Sequence, residues 1–373
     1  GQQICWPARR GAEGMMSTPA AQLDELDLKL LDLLQQELPL VERPFAALAQ
    51  RLGIDEEQVL RRVRQLRAGP RGVIRQISAI FDSRSLGYVS SLVAAKVDEA
   101  RIDAAAEQIN LHPGVSHNYR RNHAYNLWYT IAVPPHSRLG LERTVQELHR
   151  RSGAIVTRLM PALKLYKIGV RFNLSGEPDA ATRSDEEAGF ASGTEQQATE
   201  QSVISDADKR MIRLLQQDLP LEPRPFEIWA QQAKVPPQQV LESAQRYLRL
   251  GWMRRFSAVL RHREAGFVAN AMGAWIVPPQ QRDAFGALAA SFPAVSHCYQ
   301  RPTYEDWPYS MFTMVHGQTP ADCERVLSAI SHATGTTQYT ALYSSREYKK
   351  VRVRYFMGDI EAWEAQVLAD SQR

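Results

Sequence analysis

This sequence of 373 residues has few cysteines and no long apolar run, and its positive and negative charges nearly balance. The three cysteines have no paired spacing, which excludes a disulfide framework or a CxxC metal motif and predicts a reducing, cytoplasmic location. No apolar run approaches about eighteen residues, so we expect no membrane-spanning helix. A net charge of +4 is compatible with an anionic ligand or nucleic acid, and proves neither.

The chain contains an internal repeat. Leu33–Phe45 reads LLQQELPLVERPF, and Leu214–Phe226 reads LLQQDLPLEPRPF, 181 positions later. Val115–Arg121 reads VSHNYRR, and Val295–Arg301 reads VSHCYQR, 180 positions later. This nearly constant spacing indicates one module that was duplicated and fused. Because the copies differ at His, Arg and Tyr positions, the pattern favours one asymmetric site over two equal ones.

The first part of each repeat has the pattern of a winged helix-turn-helix. Leu26, Leu30 and Leu34 recur at helical spacing, and Pro39 ends this helix. Asp55 is placed to cap a third helix. The remaining predicted elements of the first repeat are Phe45–Leu52, a helix from Asp55 to about Ala68, and a strand at Val73–Phe81. Those of the second are Asp206–Leu219, Pro225–Ala233, Pro237–Leu250 and the strand Met253–Leu260.

The second part of each repeat alternates strands and helices in the order βαββαβ, which is typical of a ferredoxin-like domain. One face of such a sheet carries the helices, and the other is free to pack against the duplicate. We therefore expect an α+β fold whose two modules form an intrachain pseudo-dimer. The predicted elements are Tyr88–Val97, Ile102–Leu111, Val115–Arg121, Asn126–Val133, Leu139–Arg151 and Val156–Phe172, then Ala269–Val277, Gln281–Ser291, Val295–Arg301, Tyr309–His316, Pro320–Thr334 and Thr337–Tyr355.

These elements predict seven segments. An acidic stretch that is almost free of large apolar residues separates the repeats, and we expect it to be a disordered linker. The predicted segments are a disordered leader (1–22), a winged helix-turn-helix (23–82), a ferredoxin-like domain (83–174), the linker (175–204), a second winged helix-turn-helix (205–262), a second ferredoxin-like domain (263–358) and a C-terminal tail (359–373).

A winged helix-turn-helix followed by a βαββαβ domain resembles the Lrp/AsnC family of regulators. Three strings carry a more specific resemblance. SHNYRRNHAYNLWYTI (Ser116–Ile131) resembles the NirD-type subunit of siroheme decarboxylase. SHCYQRPTYEDWPYSMFTMVHG (Ser296–Gly317) and REYKKVRVRYF (Arg346–Phe356) resemble the NirL-type subunit. The order of the strings matches the two subunits fused in one chain.

The resemblance implies a carboxy-lyase that removes two acetate carboxylates from siroheme, giving 12,18-didecarboxysiroheme for haem d1 or alternative haem biosynthesis. No cofactor and no metal site are expected, because the conjugated ring accepts the electrons and iron enters as part of the substrate. Two alternatives stay open: an Lrp/AsnC-type transcription regulator, and a tetrapyrrole sensor or carrier that does not react. Also left open are a homo-oligomer of the fused chain and contacts with other haem d1 biosynthesis proteins.

Each repeat carries a His-X-Tyr-X-Arg string, whose alternate residues share one face of a strand. Histidine can donate a proton near neutral pH, and arginine suits bidentate carboxylate binding. The other interpretation is a polar face turned to solvent or to the partner module. The predicted roles are proton donation by His117 and His297, and substrate binding by Tyr119, Arg121, Tyr299 and Arg301.

Other candidates occur in one copy only. His123, whose counterpart is Thr303, is a third predicted proton donor; otherwise it is a loop histidine without a catalytic role. In the insertion Trp307-Pro308-Tyr309, Trp307 and Tyr309 are predicted to form an aromatic wall against the macrocycle; otherwise the loop packs on its own core. His316 is assigned to a turn.

Each repeat ends in a basic run that can bind the substrate's carboxylates or form a solvated face. The runs are Lys164, Lys167 and Arg171, and then Arg346, Lys349, Arg352 and Arg354; we predict substrate binding by Lys349 and Arg352.

Basic residues also lie on the third helix of each winged helix-turn-helix, the helix that would enter a DNA groove. The first copy has four arginines there, and the second keeps two and adds Glu242. Symmetric readout of a palindrome needs two equal helices, so specific DNA binding is not expected. The arginines are Arg61, Arg62, Arg64 and Arg67, and then Arg246 and Arg249.

Overall fold

The computed structural model describes residues 23–69, 72–168, 203–261 and 269–370. The predicted leader and most of the predicted linker lie outside these ranges. The first repeat contains α1 (Glu25–Gln36), α2 (Pro44–Leu52), α3 (Glu56–Arg67), β1 (Ile74–Phe81), β2 (Val89–Lys96), α4 (Ile102–Asn110), β3 (Val115–Arg121), β4 (Leu127–Val133), α5 (Gly140–Ser152), β5 (Val156–Met160) and β6 (Lys164–Ile168). The second contains α6 (Asp206–Leu215), α7 (Pro225–Ala233), α8 (Pro237–Arg249), β7 (Met253–Leu260), β8 (Ala269–Trp275), α9 (Arg282–Ala290), β9 (Val295–Gln300), β10 (Met311–Gly317), α10 (Pro320–Thr334), β11 (Tyr339–Lys350) and α11 (Asp359–Asp370).

Local sequence signals place the helix starts. The Asp55 carboxylate accepts from the backbone N–H of Gln58 at 2.7 Å, so the predicted cap of α3 is present. Ser205 begins α6 through a capping box with Asp208. The predicted end of α6 is wrong, since the helix stops at Leu215. None of the described helices is long and apolar enough to cross a membrane.

The winged helix-turn-helix parts are joined by their strands. β1 and β7 pair antiparallel in a separate two-stranded sheet, called here the wing ribbon, with Ser78 opposite Ser257. Apolar residues from the helices of both repeats form one continuous core around this ribbon. The two helical parts are therefore a single packed unit rather than two mobile heads.

The ferredoxin-like parts form a nine-stranded sheet in the order β5-β2-β4-β3-β11-β8-β10-β9-β6. The repeats exchange their last strands. β11 pairs with β8 of its own repeat through Tyr339–Tyr343 and with β3 of the other repeat through Ser344–Lys350. β6 leaves the first repeat and pairs with β9 of the second. Each repeat thus completes the sheet of the other.

Two predicted strand boundaries are wrong because of this exchange. The strand predicted at Val156–Phe172 breaks at residues 161–163, where the chain passes from β5 at one edge of the nine-stranded sheet to β6 at the other edge. The last predicted residues of this strand lie outside the described ranges. The strand predicted to reach Tyr355 ends at Lys350, where pairing with β3 ends.

An apolar layer lies between the sheet faces that do not carry helices. Its members come from both repeats and include Trp128, Met272, Phe312 and Leu342. Separate apolar clusters lie under the helices of each repeat. The predicted intrachain pseudo-dimer through the free sheet faces is confirmed.

The predicted C-terminal tail is wrong over most of its length. Asp359–Asp370 form α11, which buries Trp363 and Val367 in the helix layer of the first repeat. The Glu364 side chain is fully buried and accepts hydrogen bonds from the Ser137 hydroxyl and from the backbone N–H of Arg138. The sequence signal was present as apolar residues three and four apart, so the helix could have been predicted.

Candidate active site

The structure brings the two His-X-Tyr-X-Arg strings onto matching strands, β3 and β9. The rings of His117 and Tyr119 stack with centroids 6.1 Å apart, and those of His297 and Tyr299 with centroids 6.0 Å apart. The same-face arrangement expected from strand alternation is present in both repeats. The two rows are related by the internal repeat and belong to strands of opposite halves.

His297 belongs to a network with a second imidazole. The Ser296 hydroxyl lies 2.8 Å from His297 Nδ1 and 2.7 Å from His316 Nε2. The assignment of His316 to a turn is wrong: it lies in β10, opposite Asn270 of β8. The strand continues to Gly317, so the glycine follows the histidine inside the strand and does not start a turn there.

His117 has a different neighbour. Its Nδ1 lies 3.0 Å from the Ser116 hydroxyl and 3.3 Å from the Thr130 hydroxyl, and the two hydroxyls are 2.8 Å apart. Thr130 is the cross-strand partner of His117, and Met314 takes that place opposite His297. The two halves therefore surround their histidines with unlike groups.

Burial lowers the pKa of these histidines. The pKa of His297 falls to about 3, first through burial and then through the charges of His316, Arg301, His117 and Arg254. Burial, followed by Lys350 and Arg75, lowers the pKa of His117 to about 4.

His316 follows the same rule, since burial and then Lys350 lower its pKa to about 4. All three imidazoles are neutral at pH 7 while no anion is bound. A carboxylate placed beside them would stabilise their protonated forms and raise each pKa.

Arg121 is buried and Arg301 is partly buried, and neither has a carboxylate partner among the described residues. Arg121 is 6% exposed, and its Nη1 donates to the Leu342 carbonyl at 2.7 Å. Arg301 donates likewise to the Met160 carbonyl, and its guanidinium lies 4.7 Å from the Tyr299 ring. The Nε of each arginine has no hydrogen-bond partner in the described part of the chain.

Burial lowers the pKa of each guanidinium to about 10. A buried charge is costly unless it is paired, so a bound anion would relieve an existing penalty at both positions. These two arginines have the surroundings that a carboxylate-binding residue requires.

His123 lies in the bend that follows β3. It contributes to a surface cavity of about 480 Å³ whose lining includes Arg121 but neither His117 nor His297. Its Nδ1 accepts from the backbone N–H of Tyr125 at 3.1 Å, and burial lowers its pKa. The cavity is lined by Glu99, Arg120, Arg121, Asn122, His123, Ser345 and Arg346.

The aromatic insertion lies mostly inside the molecule. Trp307 is fully buried in the layer between the sheets, 5.2 Å from Trp128 and 5.5 Å from Tyr125 between ring centroids. Tyr309 is partly exposed and packs 4.8 Å from Trp307. Trp307 contacts core residues of both repeats, and a contact between either ring and a macrocycle stays a prediction.

Lys349 and Arg352 connect parts of the chain. Lys349 Nζ donates to the carbonyls of Asn110 and His112 at 2.8 and 3.2 Å. Arg352 donates to the Ser78 hydroxyl at 2.6 Å and thereby ties the wing ribbon to the segment after β11. Substrate binding by these two residues stays a prediction. Of the first basic run, Lys164 pairs with Asp283, and Arg171 lies outside the described residues.

Several groups near the histidines were missed from the sequence. Lys350, rather than Lys349, is opposite His117 in the β11–β3 ladder. The serines were detectable, since each immediately precedes the shared histidine in the repeated string. Arg75 and Arg254, which lie on the wing ribbon, are associated with the histidines only through the tertiary structure. The missed residues are Arg75, Ser116, Thr130, Arg254, Ser296, His316 and Lys350.

The arginines of α3 are largely paired within the protein. Arg62 bonds to Asp24 and Asp27 at 2.8 and 2.7 Å. Arg67 pairs with Asp218 of the second repeat at 2.7 Å, and Arg64 donates to the Leu221 carbonyl. Contacts with the other repeat thus occupy part of the surface that would face DNA.

Within the described ranges, no group of three His, Cys, Asp or Glu side chains could hold a metal ion.

Two family models match both repeats. The AsnC-like ligand binding domain matches residues 85–167 and 264–349, and the siroheme decarboxylase NirDL-like HTH domain matches residues 27–75 and 208–254. The chain is 37% identical over 340 residues to the siroheme decarboxylase of Hydrogenobacter thermophilus, covering 90% of this chain and 96% of the relative. This chain belongs to the siroheme decarboxylase family. The resemblance expected from the three sequence strings is confirmed.

Solved structures of the family have the same architecture. A crystal structure of the siroheme decarboxylase NirDL is 34% identical, with a TM-score of 0.70, and the match covers 94% of this chain and all of the other. A second, NirDL in co-complex with an iron-uroporphyrin III analogue, is 34% identical, with a TM-score of 0.69 and coverage of 92% and 98%.

Proposed function

We propose that this chain is a siroheme decarboxylase that removes two acetate carboxylates from siroheme. The observation that carries this proposal is the pair of repeat-related rows, each combining a partly buried histidine, a tyrosine and an arginine that lacks a carboxylate partner in the described residues. The identity to a siroheme decarboxylase over nearly the whole chain supports it. So does the family structure in complex with an iron-uroporphyrin III analogue.

In each step the bond between the acetate methylene and its carboxylate breaks, and carbon dioxide leaves. The electron pair passes into the conjugated macrocycle, and a proton then adds to the exocyclic carbon, which becomes a methyl group. Arg121 and Arg301 bind carboxylates, and His117 and His297 supply the protons. His123 is proposed as a further donor from its separate cavity. The reaction needs no added cofactor, since the ring accepts the electrons.

The unlike surroundings of the two histidines support a division of work between the halves. Through Ser296, His316 can hold His297 in one tautomer and return a proton to its Nδ1. Around His117, the hydroxyls of Ser116 and Thr130 hold the ring without a second imidazole. We assign one acetate to each half, with 12,18-didecarboxysiroheme as the product for haem d1 or alternative haem biosynthesis. The cytoplasmic location and further pairing of chains stay predictions.

The decisive experiment is anaerobic incubation of the purified chain with siroheme, followed by mass spectrometry of the extracted tetrapyrrole. Loss of the mass of two carbon dioxide molecules is expected. A ligand that is tightly bound and unchanged in mass would refute the enzyme and favour a carrier. A preparation in which His117 and His297 are both replaced by Ala is the matched control, and we expect it to bind siroheme without the full mass loss.

A further inference from the structure

Two arginines of the wing ribbon are related by the repeat. Arg75 is the second residue of β1, and Arg254 is the second residue of β7, 179 positions later. Neither is needed for pairing of the ribbon, which backbone groups perform. Both point to a role shared by the two winged helix-turn-helix parts.

Arg75 lies at the His117 end of the site. Its Nη2 donates to the Lys350 carbonyl at 3.0 Å, and Lys350 is the cross-strand partner of His117 in the β11–β3 ladder. The positive charge of Arg75 also contributes to the low pKa of His117, after burial and Lys350. The guanidinium of Arg75 is therefore close to the first histidine.

Arg254 has the repeat-related position on the ribbon, as the second residue of β7. Its charge contributes to the low pKa of His297, and it opposes the effect of burial on the pKa of Tyr299. Its Nε donates to Asp82 Oδ2 at 2.8 Å, and its side chain is 42% exposed. It is thus held in place and still open to a ligand.

The same region concentrates positive charge. Burial lowers the pKa of Arg352, and the charges of Arg75 and Arg255 add to this effect. The positive charge of Lys350 lowers the pKa of both His117 and His316. Like charges gathered beside a neutral histidine cluster repel one another, and a bound polyanion would relieve that repulsion.

We propose that the wing ribbon supplies Arg75 and Arg254 as substrate-binding residues, each holding a peripheral carboxylate of an acidic tetrapyrrole near one of the two histidines. The proposal rests on the proposed function for the identity of the ligand. It gives the winged helix-turn-helix parts a task in the site, since their strands carry a cation to each half.

The two arginines contribute unequally. The hydrogen-bond acceptor of Arg75 at Lys350 is a neutral carbonyl, which leaves its full charge to the ligand. Arg254 forms an ion pair with Asp82, which offsets part of its charge. Loss of the Arg75 charge therefore weakens binding more than loss of the Arg254 charge.

The test measures binding by absorbance titration with uroporphyrin III, which has eight carboxylates, and with coproporphyrin III, which has four. We expect Arg75→Gln to weaken uroporphyrin III binding about tenfold and Arg254→Gln about threefold. Arg75→Lys, which keeps the charge, should retain more affinity than Arg75→Gln. The losses should be smaller for coproporphyrin III and should shrink at high salt.

Matched controls are Arg61→Gln and Arg249→Gln, which each remove one positive charge from exposed positions of α3 and α8; they should bind as the unchanged chain does. Equal affinity of Arg75→Gln and Arg75→Lys, or losses as large in the controls, would overturn the proposal. A chain that binds uroporphyrin III in this charge-dependent way but releases no carbon dioxide from siroheme would refute the proposed function and leave this inference standing.

Discussion

The histidines of the site are neutral because the protein buries them among cations. His117, His297 and His316 have pKa values of about 4, 3 and 4. A neutral histidine must be protonated before it can donate a proton, and a bound anionic substrate favours its protonated form. In the proposed mechanism, the carboxylates of the bound substrate therefore also raise the pKa of the histidines that donate protons.

This coupling predicts proton uptake when a tetrapyrrole polycarboxylate binds. The bound anion raises the histidine pKa values, so the complex holds more protons than the separate partners. Affinity therefore falls as the pH rises from the pKa values of the free histidines toward the raised values of the complex. Calorimetric titration with uroporphyrin III at pH 7, in buffers that differ in ionisation enthalpy, measures the number of protons. His297→Gln should take up fewer, and a buffer-independent heat for the unchanged chain would contradict the prediction.

Replacement of the paired histidines should affect turnover rather than binding. His117→Ala and His297→Ala are each expected to slow siroheme decarboxylation about a hundredfold, because each removes a general acid. His123→Ala tests the third donor, and unchanged turnover would remove His123 from the mechanism. Single-turnover assays that separate the first and second loss of carbon dioxide show which acetate each residue serves.

His316 should behave as a positioning residue. His316→Ala leaves the Ser296–His297 contact without its second imidazole, so we expect a smaller loss of turnover than for His297→Ala and a changed pH profile. Thr130→Val is the comparison in the other half, where no second imidazole is involved. A pH profile identical to that of the unchanged chain would assign His316 to packing.

Among the individual residues, the sequence predicted those side chains that the alternation of a single strand places on one face. The His-Tyr-Arg rows followed from a period of two and from the repeat. The wing arginines and Lys350 were missed because their approach depends on how the ribbon packs against the sheet. His316 was missed because the following glycine was taken as a turn signal, although it lies inside β10.

Among the elements, α11 shows how the repeats are held together. It follows the second repeat in the chain, yet it packs on the helices of the first. Glu364 binds the Ser137 hydroxyl, which accepts from the backbone N–H of Gly140 at 2.8 Å. Since α5 begins at Gly140 without a side-chain cap of its own at Leu139, α11 organises the start of this helix.

Loss of the buried Glu364 carboxylate should lower the stability of the whole chain. Glu364→Ala leaves the Ser137 hydroxyl and the Arg138 N–H without their acceptor, and we expect the free energy of unfolding to fall by about 2 kcal/mol. Urea unfolding measures the change. The matched control is Glu361→Ala, since Glu361 forms a surface pair with His136, which is worth at most about 1 kcal/mol. Equal effects of the two changes would refute a specific role for Glu364.

The order of the elements was predictable, whereas their partners were not. Capping residues and apolar periodicity placed most helices within a few residues of their ends. Nothing local distinguishes a strand that pairs within its repeat from one that crosses to the other repeat. The division between β5 and β6 thus required the structure, although Pro161 marked the place where the chain bends.

At the scale of the whole molecule, the winged helix-turn-helix parts pack around one shared core, and several arginines that would face DNA are paired within the protein. Arg67 is paired with Asp218, and Arg246 pairs with Asp208 within its own repeat. The unequal helices α3 and α8 cannot present two like half-sites. The positive charge of these parts is directed partly inward, to the ribbon and the histidines.

Binding to a promoter fragment should therefore be weak and independent of sequence. Electrophoretic mobility shifts at about 0.15 M salt are expected to show no preference between a promoter and a scrambled duplex, since phosphate contacts alone carry no sequence information. A sequence-selective complex that survives at this salt concentration would contradict the expectation and reopen the regulator alternative.

Because the repeats exchange their last strands, the first half cannot complete its pairing until the second half has been synthesised. When the first half leaves the ribosome, β3 has an unpaired edge and β6 has no sheet to join, because β11 and β9 have not yet been made. Translation of the second half takes on the order of 10 s or longer. During that interval the nascent chain exposes a strand edge that can pair with a neighbour on the same polysome. High expression rates should thus raise aggregation more than they raise yield.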